Sequence, residues 1–158
     1  MALSTTGIAH QIASSIYTYK HKELGTINDC KVAINLLIRK FDEPLEKEGK
    51  KHFFRSKKLA EDEKGKREHI VPVNVIMNHL LENEKSLFPD EFAEYIEFYL
   101  TDVLREMALI TKEENSILSK NGFNEEMPIE YFDPSHKLFR DVWARYICAD
   151  IYKNLVHA

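Results

Sequence analysis

The stretch 108–114, Ala-Leu-Ile-Thr-Lys-Glu-Glu, places a short apolar run directly before a helix start. Ala108-Leu109-Ile110 is a strand candidate, because its apolar residues are bounded by a polar segment. Thr111 and Glu114 have the spacing of a capping box, in which the Thr side chain accepts from the third helical amide and the Glu side chain reaches back to the cap amide. A helix is therefore predicted after Thr111, and Asn121-Gly122 is expected to end it.

Most of the remaining chain has the apolar spacing of amphipathic helices. Helices are predicted over about 5–23, over about 29–42 with Pro44 as terminator, from Val73 to Leu81, from Pro89-Asp90 to about Glu106, and over a long final stretch that starts at Asp133-Pro134 and carries Leu138 to Ile151. The β-branched run Ile70-Val71 is a second short strand candidate. The sequence predicts an α+β fold that is predominantly α-helical: a helical domain with a small two-stranded ββα-like element.

The composition is that of one globular domain covering residues 1–158. Hydrophobic residues make up 44% and charged residues 30%, and the five glycines and five prolines are too few for a turn-rich β sandwich. One compositional break stands out. Residues 45–68 hold nine Lys or Arg and six Asp or Glu, which predicts an exposed charged segment.

The sequence also favours a cytoplasmic protein without a membrane span. No stretch approaches the roughly 18 apolar residues that a span requires, and residues 1–25 lack the apolar core of a signal peptide. Cys30 and Cys148 match neither a disulfide framework nor the paired spacing of a zinc site. The net charge of −4 means that any nucleic-acid binding must come from a local basic patch.

One motif points to chemistry. Glu68-His69-Ile70-Val71-Pro72, an acid and a histidine before a β-branched pair and a proline, resembles the first strand of the HNH, or His-Me finger, nucleases. The resemblance implies a two-stranded ribbon and a helix around one divalent metal ion, Mg²⁺ or Mn²⁺. His69 would be the general base that activates water, and Glu68 would be a metal ligand. A further ligand comes from the helix in that family, which implies Asn115, with Glu113 or Glu114 as substitutes.

The resemblance covers about a sixth of the chain, and the sequence departs from the family pattern in two places. About 35 residues with two predicted helices separate the candidate strands, where the family has a loop. No histidine lies between His79 and His136 to supply the usual helix ligand. Two other interpretations stay open: a relative that keeps the ribbon and helix for binding only, and a His69 that serves as a hydrogen-bonded core residue.

A basic and aromatic stretch lies just before this motif. Five positive side chains surround Phe53 and Phe54; they are Lys50, Lys51, Arg55, Lys57 and Lys58. These side chains are predicted to contact the phosphates of DNA or RNA while Phe54 or Phe53 stacks on a base. The alternative is that the aromatic pair docks the segment on the core and the lysines only solvate it. The acidic run Glu61-Asp62-Glu63 weakens the patch.

A second function class is a non-enzymatic helical protein that acts by contact with another protein, such as a phage or mobile-element inhibitor of a host defence system. Small size, an acidic balance and the absence of any complete catalytic motif favour it. The aromatic residues of the predicted final helix are core residues in the simplest interpretation. A dimer face is the alternative, which would make the protein a homo-oligomer.

Overall fold

The computed structural model describes residues 3–158. Within them lie six α-helices and four β-strands, which confirms the predicted, mostly helical α+β class. The helices are α1 Thr5–Lys22, α2 Ile27–Lys47, α3 Val73–Leu81, α4 Pro89–Leu104, α5 Lys112–Lys120 and α6 Ala144–Cys148. The strands are β1 His52–Ser56, β2 Lys66–His69, β3 Glu106–Ile110 and β4 Leu155–His157, so that the predicted two-stranded element is part of a four-stranded sheet.

The chain forms two compact units, each built from two separate segments of sequence. The described part of the first unit is residues 3–51 and 76–105, and the second unit is His52–Val75 with Glu106–Ala158. The sequence predicts one domain over 1–158. Each unit combines segments that are distant along the chain, so the unit boundaries are not marked by a single flexible linker that the amino-acid composition would reveal.

The first unit is helical, and α1 packs against α2 and α4. Ile8, Ile12 and Ile16 are fully buried on one face of α1, as their four-residue spacing predicts. In α2 the helix continues through Pro44 to Lys47, so the predicted end before Pro44 is wrong. Leu45, directly after the proline, is fully buried. This burial favours continuation of the helix, although proline lacks the N–H for one helical hydrogen bond.

The second unit contains the sheet, with strand order β2-β3-β1-β4. Strands β2 and β3 are antiparallel and pair Glu68 with Ala108. The strand predicted at Ile70-Val71 is misplaced, because the strand that pairs with β3 ends at His69, and Ile70 and Val71 follow it as buried residues. Strand β1 is parallel to β3 and antiparallel to β4.

The segment 45–68, predicted to be exposed, contains an interior strand of this sheet. Residues 46–50 and 60–67 are exposed as expected, but β1 lies between them with Ser56 buried at its end. Leu45 and Leu59 are buried as well. Strand β1 was not predicted because its apolar pair Phe53-Phe54 is flanked by many lysines, a composition that is typical of an exposed segment.

The predicted long final helix is not formed. A 3-10 turn at Ile129–Phe132 precedes the predicted start, and the chain after it forms only the short α6, a 3-10 turn at Tyr152–Asn154 and then β4. Left-handed backbone at Arg140 (φ 54°) and Asp150 (φ 61°) breaks the helix on both sides of α6. The apolar residues are still core residues, as Trp143, Tyr146 and Ile151 are buried.

These residues pack on one face of the sheet, here called the inner face. The cluster on the inner face comprises Ile70, Ala108, Ile110, Leu118, Trp143, Tyr146, Ala149 and Ile151, with Phe54 and Leu155 packed against it. Helix α5 begins at the predicted capping box, with Thr111 accepting from Glu114 N at 3.0 Å and Glu114 Oε2 accepting from Thr111 N at 2.9 Å. Among the residues the structure describes, no helix is both long and apolar enough to cross a membrane.

Candidate functional site

Glu68 and His69 project from opposite faces of the sheet, because successive side chains of a strand alternate in direction. Glu68 pairs with Ala108, a member of the inner-face cluster, and its carboxylate is bonded to the buried Arg145. His69 pairs with Met107 and shares its direction with Arg67. The side of the sheet that carries His69 is here called the outer face.

The carboxylate of Glu68 is held by two cations. Its Oε2 lies 3.3 Å from Arg145 Nη2, and its Oε1 lies 3.5 Å from Lys66 Nζ. Arg145 is 1% exposed and also donates to the carbonyl oxygens of Ile70 at 2.9 Å, Phe123 at 2.8 Å and His69. The guanidinium of Arg145 in α6 is therefore bonded both to the end of β2 and the residue after it and to the loop that follows α5. Glu68, which is half-buried, supplies the counter-charge of the buried guanidinium.

Asn115 lies in the first turns of α5, which packs on the inner face through Leu118. Strand β3 leads into this helix at Ile110, and Ile110 pairs with Lys66 at the end of β2 opposite to His69. The Oδ1 atom of Asn115 is buried without a hydrogen-bond partner. The structure does not bring Asn115 and His69 together, since they belong to opposite faces and opposite ends of β2.

The residues implied as metal ligands do not fit a shared metal ion. Glu68 is engaged by Arg145 and Lys66, and the imidazole of His69, implied as the general base, is directed to the face opposite to Glu68. The substitute ligand Glu114 is buried and caps α5, and its Oε1 accepts from Ser56 at 2.8 Å and Asn154 at 3.0 Å. Across residues 3–158, no group of three or more His, Cys, Asp or Glu has an arrangement that could hold a metal.

The predicted phosphate-binding residues are divided between the two units. In the first unit, Lys51 is buried in an ion pair with Asp42 and donates to the carbonyl of Leu104 at 2.7 Å, so it is not accessible to a ligand. Lys50 is exposed, and its hydrogen bond with Glu48 at 2.7 Å raises the pKa of Lys50.

In the second unit, Lys57 and Lys58 are exposed in the turn after β1. Arg55 is half-buried and donates to the carbonyl of Ala60. Phe54 is directed to the inner face, where its ring packs edge-on against Trp143 with centroids 4.9 Å apart. The structure therefore makes Phe54 a packing residue.

The outer face brings together side chains that are separated in the sequence. Phe53 and Arg55 of β1 share this face with Arg67 and His69 of β2, and the Arg67 guanidinium lies 5.2 Å from the centroid of the Phe53 ring. Arg67 reaches across β3, which lies between β2 and β1. The prediction did not include Arg67. If the strand had been predicted at 66–69, the alternating direction of its side chains would have placed Arg67 on the same face as His69.

The part of the chain that forms β1, the following turn and most of β2 is locally basic. Residues 52–67 contain six Lys or Arg and three Asp or Glu, within a chain of net charge −4. The acidic residues are Glu61, Asp62 and Glu63 in the turn, whereas the outward-directed residues of the four strands include two arginines and no carboxylate. This stretch of the chain is thus locally positive and suited to attract anions.

Comparisons of the chain with protein-family models, with curated proteins and with solved structures found no match to any of them.

Proposed function

We propose that this protein binds nucleic acid through the outer face of the sheet and the basic turn after β1. The observation that carries the proposal is the meeting of Phe53, Arg55, Arg67 and His69 on one face, next to the exposed Lys57-Lys58 pair. Cationic side chains contact phosphates and release counterions, which supplies most of the free energy of non-specific binding. Phe53 adds an aromatic surface that a base can stack on.

In this proposal His69 is a binding residue. An imidazole can donate to a phosphate or exchange hydrogen bonds with a base edge, and neither role requires a metal ion. The proposal corresponds to the relative of the HNH nucleases that keeps the ribbon for binding only. Metal-dependent cleavage remains a prediction from the resemblance to the HNH nucleases. The positions of Glu68 and Asn115 do not support this prediction.

The test is fluorescence anisotropy of labelled oligonucleotides titrated with the protein at several salt concentrations. Changing Arg55, Lys57, Lys58 and Arg67 to Gln should weaken binding and reduce the salt slope by about 0.7 to 0.9 for each phosphate that the variant no longer neutralises. The matched control removes four exposed positive charges from the first unit, at Lys22, Arg39, Lys40 and Lys47. The control should bind almost as the unmodified protein does. No binding by the unmodified protein at low salt, or equal weakening in both variants, would overturn the proposal.

A second candidate function is supported by an exposed apolar patch of the second unit. Ile129 is 81% exposed and Phe132 is 57% exposed, and the N–H of Arg140, the residue after the exposed Phe139, donates to the carbonyl oxygen of Tyr131 at 2.9 Å. Exposed acids occur nearby in the sequence, at Glu125, Glu126 and Asp133. We propose as partner a protein segment that combines apolar residues with Lys or Arg, since charge complementarity favours it.

Random-peptide display against the purified protein tests this candidate. Enriched peptides should combine apolar and basic residues, and their binding should be lost when Ile129 and Phe132 are both changed to Ser. Changing the exposed Phe98 of α4 to Ser is the matched control and should leave binding unchanged. Enrichment of peptides without basic residues, or binding that survives the double change, would refute the assignment of the patch.

A further inference from the structure

We infer that two copies of this chain associate through the exposed side of α2, with the two helices antiparallel. This side of the helix, here called the α2 face, is defined by five exposed residues: Asp29, Val32, Leu36, Arg39 and Lys40. The α2 face belongs to the first unit. The inference therefore does not depend on the proposed binding of nucleic acid by the second unit.

Two apolar side chains form the centre of the α2 face. Val32 is 65% exposed and Leu36 is 56% exposed, and residues four apart are neighbours on one side of a helix. The core does not need them, because the buried residues of α2 lie on its opposite side; they are Cys30, Ile34, Ile38, Phe41 and Leu45. Valine is also a weaker helix former than the straight-chain residues usual at exposed positions. Neither core packing nor helix propensity accounts for this pair, whereas contact with a second helix does.

The charges of the α2 face identify a second copy of the same helix as the partner. Asp29 comes three residues before Val32, and Arg39 and Lys40 follow Leu36, so the apolar pair has an acid at one end and bases at the other. When two such helices pack antiparallel with the apolar pairs in contact, Asp29 of each protomer lies level with Arg39 of the second copy and beside Lys40. A parallel pair would bring like charges together. The face is therefore complementary to itself in the antiparallel orientation.

The spacing of the α2 face matches the seam of a coiled coil. Asp29, Val32, Leu36 and Arg39 follow one another at intervals of three, four and three residues, which places them on one narrow stripe of the helix. In the antiparallel dimer, Val32 of each protomer packs against Leu36 of the second copy, which makes two apolar layers. A charged layer of Asp29 and Arg39 lies on each side of them. The apolar contact supplies the attraction, and the charged layers set the orientation.

The charged groups at the two ends keep capacity for these contacts. Asp29 Oδ2 accepts from the N–H and the hydroxyl of Thr26, both at 2.9 Å, and these hydrogen bonds lower the pKa of Asp29. The carboxylate is therefore ionised at neutral pH, and its two oxygens can accept further bonds. Arg39 Nε donates to Asn35 Oδ1 at 2.8 Å. A guanidinium has five N–H donors, so this bond leaves others for a carboxylate of the second copy.

The size of the α2 face sets the expected affinity. One helix face on each protomer makes a small interface, which we place below the about 1,200 Å² of total buried surface typical of stable complexes. We therefore expect a weak dimer with a dissociation constant on the order of 100 µM. Well below that concentration the protein is a monomer, so nucleic-acid binding can be measured without the dimer.

Sedimentation equilibrium of the full chain, from about 10 µM to about 500 µM, tests the dimer. The double variant Arg39→Glu with Lys40→Glu and the single variant Asp29→Arg should each be monomeric, because like charges then face each other. A mixture of these two proteins should dimerise, because every facing pair is then of opposite charge. Phe98→Ser removes a ring that is 75% exposed in α4 and is the matched control, which should dimerise as the unmodified protein does.

Disulfide cross-linking tests the orientation without changing any charge. In a background that carries Cys148→Ser, which removes the exposed thiol, Val32→Cys and Leu36→Cys are prepared as separate proteins; Cys30 is buried. On oxidation of the mixture, the two unlike proteins should be linked at least about ten-fold faster than either is linked to itself, because only unlike positions face each other in the antiparallel dimer. Faster linking of like proteins would overturn the antiparallel arrangement. An unmodified protein that stays monomeric at about 500 µM, or charge variants that dimerise unchanged, would overturn the dimer itself.

Discussion

Replacing Arg145 by Met removes the guanidinium that holds together the polar interior of the second unit. Arg145 is 1% exposed and donates to the carbonyl oxygens of Ile70, Phe123 and His69 and to the carboxylate of Glu68. Methionine is shorter than arginine but close to it in volume, and it has no polar hydrogen. The substitution therefore tests the hydrogen bonds and the ion pair with little change in packing volume.

The expected cost follows from what the removed guanidinium leaves behind. Glu68 keeps a carboxylate that is 17% exposed, and Lys66 at 3.5 Å is its remaining cation. Removing one partner of a buried ion pair costs about 3–5 kcal/mol, and a buried acceptor without a donor costs about 1–3 kcal/mol. We expect the free energy of unfolding to fall by about 3–5 kcal/mol. For a chain of this size, that corresponds to a melting temperature lower by about 6–20 °C.

Urea unfolding followed by circular dichroism measures this change. Arg140→Met is the matched control, because Arg140 is exposed and its guanidinium lies 5.1 Å from the Phe139 ring. The control should stay within about 0.5 kcal/mol of the unmodified protein. Adding Glu68→Met to Arg145→Met should recover part of the loss, since it removes the uncompensated carboxylate. A loss below about 1 kcal/mol in Arg145→Met would refute this account of the polar interior.

The same assay separates a structural Glu68 from a metal-binding Glu68. If Glu68 is the counter-ion of Arg145, Glu68→Gln destabilises the protein equally with EDTA and with Mn²⁺. A metal ligand predicts that Mn²⁺ stabilises the unmodified protein and that Glu68→Gln abolishes this gain, because an ion that binds only the folded state raises its stability.

Three further predictions follow from local features. Thr111→Ala should lower the free energy of unfolding by about 1 kcal/mol in urea titrations, because Glu114 loses its partner in the capping box. Desolvation raises the pKa of the exposed Cys148 thiol, so iodoacetamide should alkylate it more slowly than free cysteine at about pH 7.5. The alkylation rate of Cys148 should also continue to increase at pH values where the rate for free cysteine has reached its maximum. The buried Cys30 should react only after unfolding. If the HNH resemblance extends to activity, Mg²⁺ or Mn²⁺ should support DNA nicking that EDTA abolishes and that His69→Ala reduces by about 10²-fold or more, whereas the binding proposal expects no nicking.

The elements that the sequence predicted well are those whose signals are local. The buried stripe Ile8, Ile12 and Ile16 lies on one face of α1, and the capping box of α5 needs only residues 111 and 114. Periodicity and capping act over one or two helical turns, so they can be recognised without the rest of the fold. The same reasoning correctly predicted α3 from Val73 to Leu81.

The elements that were missed depend on distant residues. Strand β1 is an interior strand only because β3 and β4 pair with it, and both come much later in the chain. The region after Asp133 has apolar residues at helical spacing, yet Arg140 and Asp150 have left-handed backbone that no pattern of the sequence announces. The chain turns there so that Trp143, Tyr146 and Ile151 can share one buried cluster.

The roles of Arg145 and of the pair Phe53-Phe54 could not be predicted for a similar reason. Arg145 lies between Trp143 and Tyr146 in the stretch predicted to be the final helix, where a charged residue is expected to be solvated, and its buried acceptors lie in segments around residues 69 and 123. The choice between Phe53 and Phe54 depends on which face of β1 is covered. That choice needs the strand itself, which was not predicted.

The electrostatics of the outer face bear on what His69 can do. Adjacent side chains in a strand diverge, so an ion held by Glu68 would lie on the inner face, while the imidazole of His69, which the resemblance makes the general base, is directed to the outer face. Any metal at His69 would need ligands from the outer face. The outward-directed residues of the strands there include Arg55 and Arg67 and no carboxylate. The binding proposal makes His69 a contact to a polyanion and the resemblance makes it a general base, and the nicking assay with His69→Ala separates the two roles.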